Sequence, residues 1–226
     1  MRRGALAAGI VGALGLVTVV ILALTVRTSE AFTVGVFSTT PTGPIEKGTT
    51  ICQKPIRVPP GGEFDRVDFE VGTFHRPHGP ALDVYVRAVE GSSLPPRHGV
   101  LPAGYPDVGE QQRHVVEVGD VPEGAVVEVC FRNRGPRAVA FFGGSDGQST
   151  PTSGYVDGQP IGFDVDVVLR REPRTLASLL PDMLDRASLF KPPWVSPGLY
   201  WALVALLLVG VPVMLVVVLR RAAGDR

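Results

Sequence analysis

Among 226 residues the chain has one asparagine, Asn133, three lysines against nineteen arginines, two cysteines and four histidines. The asparagine is followed by Arg-Gly, so the sequence offers no N-glycosylation acceptor. There is no Gly-x-Ser-x-Gly elbow, no P-loop and no dinucleotide fingerprint, which removes the usual marks of an α/β-hydrolase, a nucleotide hydrolase or a Rossmann oxidoreductase. Net charge is lacking as well, since 22 Lys and Arg balance 22 Asp and Glu. The arginine excess, with abundant Ala, Gly, Val and Pro, is the usage of a GC-rich bacterial genome.

Long apolar runs, in contrast, are present twice. Residues 5–26 carry no charge and would make a helix of roughly 33 Å, enough for a bilayer core. This run exceeds a signal-peptide core and no small-x-small cleavage site follows it, so an uncleaved anchor is expected. A second run covers residues 199–219, with Pro212 inside it needing local relief of its lost hydrogen bond. Arg2 and Arg3 precede the first run, and Arg220, Arg221 and Arg226 follow the second; only Arg27 opposes them. The positive-inside rule then places both termini in the cytoplasm and the middle of the chain outside it. Residues 27–197 hold 17 Lys and Arg against 21 Asp and Glu, a net −4 that gives no reason to expect nucleic-acid binding. Gly4, Ala8 and Gly12 recur every four residues, with Gly15 near the same face, so a neighbouring helix could approach the first span closely.

Between the spans the apolar period is two. Val67, Phe69 and Val71 alternate with Arg66, Asp68 and Glu70; Leu82, Val84, Val86 and Ala88 share a face; Ile161, Phe163, Val165, Val167 and Leu169 do so against Asp164, Asp166 and Arg170. Such stretches predict half-buried antiparallel strands, wet on one side. Weaker strands are expected at 32–37, 50–58, 113–118, 125–133 and 137–142, separated by Gly- and Pro-rich turns. About eight strands without intervening helices predict an all-β fold, an antiparallel two-sheet β-sandwich of jelly-roll or immunoglobulin-like type. The expected division is 1–27 for the cytoplasmic start and first span, 28–172 for the sandwich, 173–197 for a juxtamembrane segment, and 198–226 for the second span and tail. In that juxtamembrane segment Leu176, Leu179, Leu180, Met183, Leu184 and Ala187 recur at helical steps, predicting one or two short amphipathic helices broken near Pro181. Trp194, Tyr200 and Trp201 suit an interfacial aromatic belt.

Cys52 and Cys130 are the only thiols and both fall in the exterior part, where oxidation pairs them. Val127, Val129 and Phe131 take the apolar face of their strand, so Cys130 points the other way with Glu128 and Arg132. A bridge there ties neighbouring strands or a covering segment, and does not pin the core. No Trp lies between the two cysteines, which favours a jelly-roll or another sandwich over the immunoglobulin pattern.

Other chemistry is thinly marked. His75, His78, His98 and His114 have no spacing that makes them converge, so loop histidines are expected and no metal or cofactor. Asp164 and Asp166 could form a calcium or glycosidase pair, but alternation on a solvated strand face accounts for them. Two long loops, 90–112 and 143–160, hold Tyr105 and Tyr155 among Ser, Gly and Asp, a composition that suits either stacking on a sugar or disorder. The expected function is non-catalytic: a binding or assembly module tethered to the bacterial cytoplasmic membrane, with envelope glycan or an integral-membrane protein as partner besides the bilayer. The alternative is a structural or regulatory subunit that packs through its spans. An envelope hydrolase using Asp164, Asp166 or the histidines comes third, because no base and nucleophile can be paired.

Overall fold

The structure, a computed structural model, describes residues 2–89, 91, 93–107, 113–144, 153–189, 191–192 and 194–224. It divides into two compact units, one of Ser29–Glu172 and one made of Met1–Thr28 with Pro173–Arg226.

The first unit is almost wholly β. In chain order its strands are β1 (Arg27–Thr33), β2 (Thr40–Pro41), β3 (Thr50–Arg57), β4 (Phe64–Gly72), β5 (Leu82–Ala88), β6 (Arg97–Leu101), β7 (Arg113–Val121) and β8 (Val126–Asn133). They continue with β9 (Ala140–Gly144), β10 (Gly154–Val156), β11 (Gln159–Pro160), β12 (Asp164–Val165) and β13 (Val167–Thr175). One sheet has the order β1-β13-β4-β9-β12, with β2 on β9 and β7 on β4; the other runs β11-β10-β3-β8-β5-β6. The registered pairs are antiparallel.

The alternation decides what lies between the sheets. Val67 and Phe69 of β4, Val167 and Leu169 of β13, Val84 and Val86 of β5, and Val129 and Phe131 of β8 have no solvent exposure. At their centre the rings of Phe69, Phe131 and Phe141 meet at centroid separations of 4.5, 5.9 and 4.8 Å. Each such ring contributes roughly 2–3 kcal/mol by burial.

Several expectations from the sequence are corrected. More strands form than the eight expected, because β6, β10 and β11 arise in stretches read as long loops; residues 90, 92, 108–112 and 145–152 of those loops lie outside the described residues. β6 is short and centred on Gly99, where a Cβ would meet the Glu117 carbonyl oxygen at 2.2 Å, so the glycine is what lets β6 lie against β7. The single strand expected at 161–170 is broken at Asp166, whose N–H donates to Phe142 O at 2.9 Å; β12 pairs with β9 and β13 with β4. The strand expected at 32–37 begins instead at Arg27 and ends at Thr33.

The second unit is helical. α1 covers Arg2–Thr25, and the apolar length among its described side chains is Gly9–Thr25. α2 (Leu176–Ser188) starts at Thr175, whose side chain accepts from Ser178 N, and runs unbroken through Pro181, against the expected break. One lost hydrogen bond does not end the helix where Leu179 is buried and α1 and α3 pack against it. α3 (Pro197–Ala205) continues through a π-helical turn, Leu206–Gly210, into α4 (Val211–Gly224). The wide turn stands just ahead of Pro212, where the missing N–H and the ring would otherwise disrupt the regular ladder. Pro197–Val218 is one helix of 22 residues, long and apolar enough to cross a membrane.

Candidate functional site

The outer face of the six-stranded sheet is built from the polar positions of its strands. On β8, Glu128, Cys130 and Arg132 alternate with the core residues. Register places Cys130 directly opposite Cys52 of β3 and opposite Tyr85 of β5; Tyr85 faces His98 of β6, and Cys52 faces Tyr155 of β10. Opposed residues share a face, so these five form a row across five strands. The two cysteines are joined in a disulfide with their Cα atoms 4.0 Å apart, tying neighbouring strands within one sheet. Although it points away from the core, Cys130 is fully buried. The cover is ionic: Arg87 bonds Glu128 at 2.9 Å and donates to the Cys130 sulfur at 3.3 Å, and Lys54 lies 3.9 Å from Glu128 and 4.5 Å over the Tyr155 ring.

Beside this covered stretch the face opens into a depression of about 500 Å³ lined by Lys47, Asp83, Tyr85, His98, Arg132 and Arg134. Asp83 is buried, and its Oδ1 takes His98 Nε2 at 3.1 Å and Arg134 at 3.4 Å. The Tyr85 and His98 rings form an offset pair, 4.8 Å between centroids and 32° apart. Arg132 and Lys47 are exposed and make no ion pair or side-chain hydrogen bond among the described residues.

Beneath this rim Asn133 is fully buried. Its Nδ2 donates to Ile45 O at 2.9 Å and Arg137 O at 2.7 Å, while its Oδ1 accepts from Gly135 N at 3.0 Å. The chain's only asparagine therefore folds the turn that presents Arg134.

A second depression, of about 490 Å³, includes Ser38, Thr39, Val71, Phe74, Asp107 and Phe142 in its lining. Phe74 and His75 have φ of 57° and 62°, left-handed conformations costing on the order of 1–3 kcal/mol each. They are held by Thr73, whose N–H donates to Asp107 at 3.1 Å and whose hydroxyl donates to Arg76 O at 2.6 Å, and by Arg76, which donates to Ala138 O.

The remaining residues singled out from the sequence separate. His75 is 3.9 Å from Asp107, His98 is held by Asp83, and His114 packs on Tyr105 and Phe69, where burial lowers its pKa. Among the described residues, the one grouping with metal-ligand spacing is Cys52, Glu128 and Cys130, and its two sulfurs are bonded to each other. Asp164 accepts from Gln53 Nε2 at 3.0 Å and Ser153 N at 2.6 Å. Asp166 is buried, against the expectation of a solvated face, because Arg113 and Ser38 take its Oδ2. Tyr105 is not a loop aromatic open to a sugar: it is a core residue, 8% exposed, and burial pushes its hydroxyl pKa upward. Tyr155 does reach the outer face of the sheet, beside the covered disulfide.

Alternation in "ALDVYVRAV" already puts Tyr85 and Asp83 opposite the core face, and "RNR" brackets the lone asparagine with two arginines. Those were the available signals for the depression; His98 could not be joined to them without β6. Neither a protein-family model nor a curated protein matches the chain.

Proposed function

We propose that the chain is a two-pass protein of a bacterial cytoplasmic membrane whose β unit lies outside the cytoplasm and serves as a binding or assembly module of the envelope, with envelope glycan as its ligand. The observation that carries this reading is the depression over Tyr85 and His98: a preformed concavity at whose rim Arg132 and Lys47 have no side-chain partner among the described residues. Small-ligand sites have this size, and a lining mostly of charged and polar groups with the rings of Tyr85 and His98 suits a polar ligand. The membrane side rests on Pro197–Val218, on the apolar first helix, and on the arginines flanking the two runs. A covered disulfide fits an oxidising compartment. The reading is non-catalytic; Asp164 is bonded to Gln53 and Ser153, Asp166 to Arg113 and Ser38, and His98 to Asp83. The test is a glycan array probed with the tagged full-length chain, beside pull-down from mild detergent. Glycan capture that Tyr85→Ser abolishes supports the module, and a membrane partner without any glycan counts against it.

One observation favours the subunit reading. A Cβ added at Gly12 or Gly15 would meet nothing within 4 Å among the described residues, so this part of the small-residue face of α1 suits a helix of another protein. Gly12→Leu should then abolish co-purification with a membrane partner; unchanged co-purification sinks the idea.

A further inference from the structure

We infer that the depression over Tyr85 and His98 receives an acidic sugar residue, its carboxylate or phosphate held by Arg132 and Lys47. This deepens the binding-module reading and rests on it.

Charge is the first argument. Residues 27–197 are net negative, yet this lining concentrates Lys47, Arg132 and Arg134 around a single carboxylate. That carboxylate, Asp83, is already shared by His98 and Arg134. The two cations left over stand at the edge of one concavity, where an anion satisfies both. A guanidinium is a planar fork that matches a carboxylate or phosphate through two parallel hydrogen bonds, and an ammonium adds a compact charge beside it.

Shape is the second. A bare inorganic anion would leave most of the roughly 500 Å³ unfilled, whereas a charged pyranose with its neighbouring sugars fills more of it. The Tyr85 and His98 rings, 4.8 Å apart and inclined by 32°, lie partly over one another, so the pair presents one outward ring face, against which the C–H face of a sugar can stack. A wholly apolar ligand would leave the cations without partners, and a neutral sugar would leave them to water alone.

Preorganisation is the third. Asp83 fixes the His98 ring and Arg134, Asn133 fixes the turn that carries Arg134, and the disulfide ties β3 to β8 two residues before Arg132. A site whose supports are hydrogen-bonded before the ligand arrives loses little freedom on binding. An anionic lipid headgroup shares the phosphate chemistry, so the experiment separates the two sources.

The test uses the full-length chain in a detergent without a sugar headgroup, titrated calorimetrically with trigalacturonate, its methyl ester, mannose 6-phosphate and a water-soluble short-chain phosphatidylglycerol. Trigalacturonate or mannose 6-phosphate should bind, the methyl ester should not, and affinity should fall with added salt. Arg132→Gln combined with Lys47→Gln should weaken binding about tenfold or more, the scale of one charged hydrogen bond. Arg57→Gln, at the far end of β3, should leave it unchanged. Equal binding of the ester, unchanged binding in the double variant, or binding of phosphatidylglycerol alone overturns the proposal. Failure of both acidic sugars while Tyr85→Ser still abolishes capture of a neutral glycan removes the acidic class and keeps the module; a chain that binds no glycan at all removes both.

Discussion

On the outer face of the seven-stranded sheet, Asp68 is fully buried between Arg113, at 2.7 Å, and Arg170, while Asp166 takes Arg113 and Ser38. On the outer face of the six-stranded sheet, Asp83 is shared by His98 and Arg134, and Arg132 and Lys47, unpaired among the described residues, stand around a concavity. Both faces arise from the same alternation of polar and apolar residues. In one, two arginines bracket one carboxylate and seal it; in the other, cations outnumber the carboxylate they surround. The difference separates charge that holds strands together from charge available to a ligand.

The largest effect should come from the sealed part of the six-stranded face. Removing the disulfide with Cys52→Ala and Cys130→Ala frees a loop of 78-residue separation, for which chain entropy gives about 4 kcal/mol. A fall in thermal midpoint, matched by reduction of the unaltered protein, checks it. If the loss is negligible, the ionic cover of Lys54, Glu128 and Arg87 and not the covalent tie holds β3 to β8.

Next comes Asp68→Asn, which leaves two guanidinium groups facing a neutral amide. Breaking a buried pair typically costs 3–5 kcal/mol, and Arg113 and Arg170 keep 27% and 30% of their side-chain surface in water, so about 3 kcal/mol is expected. For a unit of this size that is a midpoint shift of about 10 °C. A shift of a degree or two would mean that the face is not sealed and that the contrast with the other sheet is only one of degree.

This burial was not legible in the sequence. Periodicity put Asp68 on the polar face correctly, but its partners come from 45 and 102 residues away, and only the strand order brings them beside it. The strands β4 and β5, and more weakly β8, were legible because one face of each is almost purely apolar. β6 was not, since Arg-His-Gly-Val-Leu has too few residues to show a period and its glycine answers to a tertiary contact with β7. Parity predicted the direction of Cys130, and register supplied the rest, placing Cys52 directly opposite. Of the candidate site, the outward positions of Asp83, Tyr85 and Arg132 could be counted along their strands, whereas their meeting with His98 and Lys47 depends on which strands are neighbours. Tyr105 fails for a related reason: its loop composition reads as open, and its ring fills space that Gly79 leaves empty.

Asn133→Ala should cost about 1–2 kcal/mol, because it removes the acceptor of the half-buried Gly135 N–H and one of the two donors to the Ile45 carbonyl, which keeps Val139 N–H. The same change should loosen the turn carrying Arg134, so weakened ligand binding should accompany the lowered midpoint. Loss of stability with full ligand affinity would show that the depression does not depend on the layer beneath it.

The smallest expected effect is the most discriminating. Arg132 is exposed and has no side-chain partner among the described residues, so Arg132→Gln strands no buried group and opens no cavity. Its stability should stay within about 0.5 kcal/mol of the parent, a midpoint change of about 2 °C or less. Asp68→Asn removes one charge from one outer face and Arg132→Gln removes one from the other, and only the first should be felt by the fold. If the Arg132 variant unfolds several degrees earlier, its guanidinium is tied into the structure as Arg113 is, and Lys47 is left as the one unpaired cation, among the described residues of the depression, for a ligand to meet.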